Sequence, residues 1–61
     1  MLSELDRQII NAVVEEKTNA EIAKMFNLSV RGVEQKIKRY CQIFKVKGRI
    51  GLVREFLKTV S

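Results

Sequence analysis

The stretch that decides the fold is TNAEIAKMFNLSVRGVEQKIKRYCQIF, residues 18–44. It opens with a capping box, Thr18 followed three residues later by Glu21, whose side chains bond the free N–H groups at a helix start. Asn27 is suited to end that helix, because asparagine tolerates the left-handed backbone conformation that commonly follows a last helical turn. The stretch therefore predicts a short helix over residues 19–26.

A second helix is predicted to begin almost at once, after Ser29, whose hydroxyl can cap its first turn. Leu28 and Val33 are spaced as a hydrophobic staple, which fixes the direction in which the chain enters the helix. Apolar side chains then recur at helical spacing: Val33, Ile37, Tyr40, Cys41 and Phe44. The pattern predicts a helix over residues 30–44, and two helices joined by so short a link are typical of a helix-turn-helix.

The face opposite this apolar stripe is polar and mostly cationic. At about 100° per residue it holds the following side chains: Arg31, Gln35, Lys38, Arg39 and Gln42, with Glu34 and Lys36 on its flanks. A helix fits the major groove of DNA, where such side chains reach phosphates and base edges. The alternative is a solvated face without a ligand. The short turn, the staple and the basic face all occur on one helix, and together they favour DNA binding over a merely solvated face.

Two further helices flank this pair. Ser3 is the candidate cap of a first helix over residues 4–16, whose apolar side chains recur at helical spacing: Leu5, Ile9, Ile10, Ala12, Val13 and Val14. A fourth helix is predicted over residues 49–59, with two apolar stripes: Ile50, Val53, Leu57 and Val60 in one, Leu52 and Phe56 in the other. The fold class is therefore an all-α, four-helix bundle, and residues 1–61 form a single domain.

Composition limits the class of protein. The chain has 61 residues and no histidine, so a histidine-based catalytic set is excluded and a zinc site is not expected. The one cysteine, Cys41, cannot form an intramolecular disulfide; we expect a small buried side chain, with a redox switch as the alternative. Glu15 and Glu16 are interpreted as a solvated helix end rather than a catalytic pair. We predict no enzyme activity, no metal and no cofactor.

The charge is unevenly distributed. Residues 1–30 carry three basic and five acidic side chains, whereas residues 31–61 carry nine basic and two acidic ones. A basic half on a small domain favours a polyanionic partner. Solubility is the alternative explanation. No apolar run approaches the roughly 20 residues that span a bilayer, so we predict no membrane partner.

Several motifs resemble the LuxR/GerE-type helix-turn-helix domain, also found at the C-terminus of NarL-type response regulators. They are Leu2-Ser3, Ile9-Ile10, Thr18-Asn19-Ala20-Glu21-Ile22-Ala23, Leu28-Ser29, Val33 and Val46-Lys47-Gly48-Arg49. The resemblance implies a four-helix domain of a cytoplasmic bacterial regulator, in which the third helix reads DNA and the fourth commonly forms a dimer. The link from Val46 to Arg49 into a further packed helix distinguishes the chain from sigma-factor region 4, which has a similar helix pair.

Carried over by position, the resemblance implies a role for each site residue. Base contacts fall on Glu34, Gln35 and Lys38. Contacts to the DNA backbone fall on Asn19, Ala20, Arg31, Lys36 and Arg39. The dimer interface falls on Ile50, Arg54 and Leu57. Arg49 has two possible roles, holding the fourth helix or touching DNA. The implied partners are double-stranded DNA, a second copy of the chain, and RNA polymerase or another regulator.

Four positions depart from this family's pattern, which usually has threonine at Gly32, lysine at Glu34, histidine at Lys36 and glycine at Glu16. Gly32 removes a hydroxyl that could bond a phosphate, and Glu34 repels phosphates unless it accepts a bond from a cytosine amino group. Without glycine at position 16, we expect a differently built turn. These departures motivate an alternative function, a protein-interaction module of the same fold that has lost DNA binding and dimerises with or blocks another regulator.

Overall fold

The structure is a computed structural model that describes residues 2–60, with side chains for residues 2–58. Within that range it contains no strand and four helices: α1 (Glu4–Val14), α2 (Asn19–Met25), α3 (Val30–Phe44) and α4 (Arg49–Val60). The predicted all-α fold with four helices is confirmed. α3 has the predicted bounds, whereas α1 and α2 end earlier than predicted and α4 ends one residue later. None of these helices is long and apolar enough to cross a membrane.

Hydroxyl side chains begin the first three helices, as predicted. Each hydroxyl oxygen accepts a hydrogen bond from the N–H three residues on, at 3.1 Å for Ser3, 3.1 Å for Thr18 and 2.9 Å for Ser29. In the first two helices the carboxylates of Asp6 and Glu21 complete a capping box by accepting from the N–H of the cap residue. A cap of this kind stabilises a helix by about 1 kcal/mol, so these starts follow from local sequence.

The same three helices end at residues in the left-handed conformation, and none of the three is glycine. They are Glu16 (φ 64°), Asn27 (φ 56°) and Lys45 (φ 57°). In each case the next N–H bonds the carbonyl five residues earlier, at 3.1 Å from Lys17, 2.8 Å from Leu28 and 2.9 Å from Val46. This is the Schellman arrangement. Asn27 therefore ends α2 in the predicted way.

At Glu16 the expectation of a differently built turn is wrong. The N–H of Glu16 bonds the carbonyl of Val13 at 3.0 Å, and that of Lys17 bonds the carbonyl of Ala12. These two bonds impose the left-handed conformation that a glycine would adopt freely. The glutamate side chain makes this conformation less favourable by about 1 kcal/mol. The turn also explains why α1 stops at Val14, two residues before its predicted end.

All four helices contribute to the core, whose buried side chains are Ile9, Ile10, Ala12, Val13, Ile22, Ala23, Val33, Ile37, Tyr40, Cys41 and Leu52. Cys41 is therefore buried, as expected. Leu5, although it belongs to the apolar stripe of α1, is 40% exposed. Leu2, which precedes α1, packs against the core instead. Among the α4 side chains that the structure describes, residues 49–58, Leu52 alone is fully buried. The side chain of Val60 lies outside the described residues.

α4 lies in close contact with Val46, in the link that joins α3 to α4. A Cβ at Gly51 would lie 3.0 Å from the Cβ of Val46, closer than side chains normally approach. Because glycine has no Cβ, Gly51 allows α4 to pack against this valine without displacing the valine side chain. By contrast, a Cβ at Gly48 would meet no atom within 4 Å.

Candidate nucleic-acid interface

α3 separates a buried apolar face from an exposed polar one. Its buried residues are Val33, Ile37, Tyr40 and Cys41. Its exposed residues include the three predicted base contacts and two predicted backbone contacts: Glu34, Gln35 and Lys38, with Arg31 and Arg39. The structure therefore brings these five side chains together on one solvent-facing side of the helix.

The cations on this face are not neutralised within the domain. Arg31, Lys38 and Arg39 form no ion pair with any residue in the described part of the chain, and neither does Glu34. The long-range attraction between a protein and the phosphates of DNA depends on such unpaired positive charge. One carboxylate among three cations leaves the face net positive.

Lys36 lies on the flank of α3 that faces α1. Its Nζ is 4.0 Å from Oδ1 of Asp6, and its side chain is 35% exposed. Asp6 also accepts hydrogen bonds from the Tyr40 hydroxyl at 2.5 Å and from the N–H of Ser3 at 3.0 Å. The structure thus places Lys36 beside an acid, apart from the five side chains on the exposed face. A contact from Lys36 to a phosphate would have to compete with Asp6.

The bond between Asp6 and Tyr40 perturbs both groups. The Tyr40 hydroxyl, followed by the N–H of Ser3, lowers the pKa of Asp6 to about 2, because both donors favour the ionised carboxylate. Burial, followed by the bond to Asp6, raises the pKa of the Tyr40 hydroxyl above its usual range. Sequence reasoning missed this pair, since its members are 34 residues apart. The acidic first turn of α1 was the only local signal.

Arg49 joins the start of α4 to the start of α2. Its guanidinium donates a hydrogen bond to Oδ1 of Asn19 at 2.5 Å and another to the backbone carbonyl of Lys17 at 2.6 Å. Of the two roles left open for Arg49, the structure therefore favours holding α4. Asn19 is half-buried, whereas Ala20, the other predicted backbone contact in α2, is exposed.

Gly32 lies next to the cap of α3. Its N–H donates to the Ser29 hydroxyl at 2.9 Å, and a Cβ there would approach that oxygen to 3.0 Å. Glycine thus leaves room around the cap, in addition to removing the hydroxyl that a threonine would present.

An apolar groove of 720 Å³ lies between the C-terminal end of α1 and α4. Val14, Val53 and Leu57 are among its lining residues, and Glu16 and Arg54 also border it. The predicted dimer residues are exposed, with Ile50 at 76% and Leu57 at 50%. In the part of the chain that the structure describes, no group of three or more His, Cys, Asp or Glu side chains is placed to hold a metal ion.

The short link between α2 and α3, the buried face of α3 and its exposed cations define a class of protein, the helix-turn-helix DNA-binding domains. Comparison with family models then identifies the family. Residues 1–41 match the model described as sigma-70, region 4, and the chain belongs to this family of helix-turn-helix DNA-binding regions. Searches of curated proteins and of solved structures found no match. Membership of this family indicates DNA binding in transcription.

The family match corrects one expectation. The link from Val46 to Arg49 was expected to distinguish the chain from sigma-factor region 4. The match, however, covers α1, α2 and most of α3, and it stops at residue 41, before that link. The chain therefore belongs to the family from which the link was expected to distinguish it, and that expectation is wrong.

Proposed function

We propose that this chain binds double-stranded DNA in a sequence-specific manner in transcriptional regulation, with α3 in the major groove. One observation carries the proposal: Arg31, Lys38 and Arg39 are exposed on one helix and have no ion-pair partner among the described residues. Unpaired cations on a helix that follows a helix-turn-helix link are suited to phosphates and base edges. Membership of the sigma-70 region 4 family supports the same function.

Within this proposal, the three base contacts have different chemistry. Gln35 presents an amide that can bond adenine in two places, and Lys38 can donate to guanine or to a phosphate. Glu34 can accept a hydrogen bond from the amino group of cytosine, which would convert a repulsive charge into a specific contact. Replacement of Glu34 by lysine should therefore raise affinity for random duplex and lower it for the preferred site.

The DNA backbone contacts complete the proposed interface. Arg31 and Arg39 would hold phosphates beside the groove, and Asn19 and Ala20 would contact the backbone from the start of α2. Lys36 would do so only after leaving Asp6, so we expect it to contribute less than the two arginines.

The test measures affinity as a function of salt. Fluorescence anisotropy with a random-sequence duplex gives log affinity against log salt, and each phosphate contact adds about −0.9 to the slope. Arg39→Gln should flatten the slope by about that amount. Arg7→Gln is the matched control, because Arg7 is an exposed arginine on α1, away from the proposed interface. An equal effect of both substitutions, or none for Arg39→Gln, contradicts the proposal. Selection of sites from random duplex then tests specificity.

A finer part of the proposal is a LuxR/GerE-like arrangement, in which α4 forms a homodimer through Ile50, Arg54 and Leu57. Support comes from the exposure of the two apolar side chains on one helix face. Sedimentation equilibrium tests it: the chain should self-associate, and Leu57→Glu should abolish association. Ile43→Glu is the control, since Ile43 is similarly exposed on α3. A monomer at all concentrations, free and on DNA, excludes the dimer. RNA polymerase or another regulator is the further partner we propose.

The second candidate function is a protein-interaction module that has lost DNA binding. It is favoured by Glu34 on the exposed face of α3 and by the apolar groove beside α4. The anisotropy measurement distinguishes the two functions. Absence of binding to random duplex, even at low salt, supports the interaction module.

A further inference from the structure

We infer that Arg49 is a positioning residue for DNA binding: it holds the side-chain amide of Asn19 so that the amide nitrogen is left to donate to a phosphate. This inference rests on the proposed function, in which Asn19 contacts the DNA backbone. It concerns how that contact is made, and it assigns to a residue of α4 an effect on the interface formed by α2 and α3.

The first step is the identity of the amide atom that faces Arg49. A guanidinium carries only hydrogen-bond donors, so its partner in Asn19 must be the carbonyl oxygen and not the nitrogen. The Arg49–Oδ1 distance is 2.5 Å. A second bond, to the carbonyl of Lys17 at 2.6 Å, fixes the guanidinium to the backbone. The donor that orients the amide is therefore itself held in place.

The second step concerns the other end of the amide. Nδ2 of Asn19 forms no hydrogen bond with any residue in the described range, and it is not among buried atoms left without a partner. The nitrogen is therefore in contact with solvent and keeps its donors unpaired within the described residues. A phosphate accepts hydrogen bonds and cannot donate them at neutral pH, so it requires this end of the amide.

The third step is what happens without Arg49. The terminal torsion of asparagine is broad and roughly two-fold, so a free amide can present either its oxygen or its nitrogen. The oxygen would repel a phosphate. Arg49 removes this alternative orientation before DNA arrives, which lowers the cost of binding.

The sharpest test is Asn19→Asp, because the change is isosteric. The new carboxylate keeps an oxygen for Arg49 and adds a negative charge at the start of α2, which is favourable there. Thermal stability should be kept or raised. The outward donor, however, becomes an acceptor with a negative charge, so affinity for duplex should fall roughly tenfold or more. Retained affinity overturns the inference, since the amide nitrogen would then not face a phosphate.

A double-substitution cycle tests the part played by Arg49. Arg49→Met and Asn19→Ala should each lower affinity several-fold, and the double variant should lose no more than one of them alone. Because Asn19 is uncharged, the salt slope should stay unchanged for Arg49→Met. A change of about 0.9 would instead show a direct Arg49–phosphate contact. Lys58→Met controls for the loss of an exposed cation from α4.

The outcomes separate the inference from the function on which it rests. Binding by the unaltered chain, together with additive losses in the cycle, overturns the positioning role and leaves the proposed function standing. Failure of the unaltered chain to bind any duplex at low salt overturns both. Unfolding curves of every variant show whether a loss of affinity reflects a loss of folded protein.

Discussion

The bond between Tyr40 and Asp6 leads to a quantitative prediction about stability at acid pH. The pKa of Asp6 falls from 3.8 to about 2 in the folded protein. Such a difference corresponds to at most about 2 to 3 kcal/mol of folding free energy. The Asp6 side chain is 21% exposed, and solvent therefore screens part of the interaction. We expect about 1 to 2 kcal/mol.

The sign follows from the direction of the shift. A carboxylate with a lowered pKa stabilises the fold fully above its ordinary pKa, and this stabilisation is lost as pH falls towards 2. Tyr40→Phe removes the largest cause of the shift. Its destabilisation should therefore be largest near pH 6 and should shrink as the pH falls from about 4 to about 2.

Urea unfolding followed by circular dichroism, at intervals between pH 2 and pH 7, measures this difference. Asp6→Asn provides the matched control, because it removes the titrating group and keeps an oxygen acceptor. In that background the effect of Tyr40→Phe should no longer depend on pH. The same pH-independence in the unaltered background would refute the reasoning, since it would mean that the hydroxyl does not act through the ionised carboxylate.

Three further predictions concern single residues. Glu16→Gly should stabilise the domain by about 0.5 to 1 kcal/mol, because glycine adopts the left-handed conformation without the steric cost of a side chain. Glu15→Gly, at a residue with ordinary negative φ, should destabilise the domain instead, and thermal unfolding distinguishes the two variants. Gly51→Ala should lower stability by about 1 to 3 kcal/mol, because its Cβ would crowd a valine of the preceding link. Gly48→Ala, in open space, should change little, and a loss equal to that of Gly51→Ala would contradict the packing argument. Ultraviolet titration of Tyr40, the one tyrosine, should give a midpoint above its ordinary value of about 10; a midpoint at or below it would contradict the bond to Asp6.

Much of the fold could be predicted from sequence because its determinants are local. Ser3, Thr18 and Ser29 each act within three residues of their own position, and the apolar stripe of α3 repeats within one helix. These features predicted the first three helices and the exposed face of α3. Helix ends were harder to predict. At Glu16 the backbone bonds outweigh the preference of the side chain, so the absence of glycine was misleading.

The rest depends on how distant segments pack. The Asp6–Tyr40 and Asn19–Arg49 bonds join residues 34 and 30 apart, and no spacing rule connects such positions. The position of Lys36 beside Asp6 depends on the same packing. The choice between related helix-turn-helix families was equally out of reach of local motifs, because the capped helix pair that decides the fold also occurs in sigma-70 region 4.

The Arg49 bridge has a consequence for local unfolding. α4 has only 12 residues and contains a glycine. An isolated helix of this length is only marginally stable in water. We therefore expect the backbone amides of α4 to exchange with solvent before those of α1 and α3. If α4 detaches, Arg49 leaves Asn19. Thermodynamic reciprocity then requires that DNA protect α4 from exchange by the same factor by which an attached α4 strengthens DNA binding. Hydrogen exchange with and without duplex would measure this coupling directly.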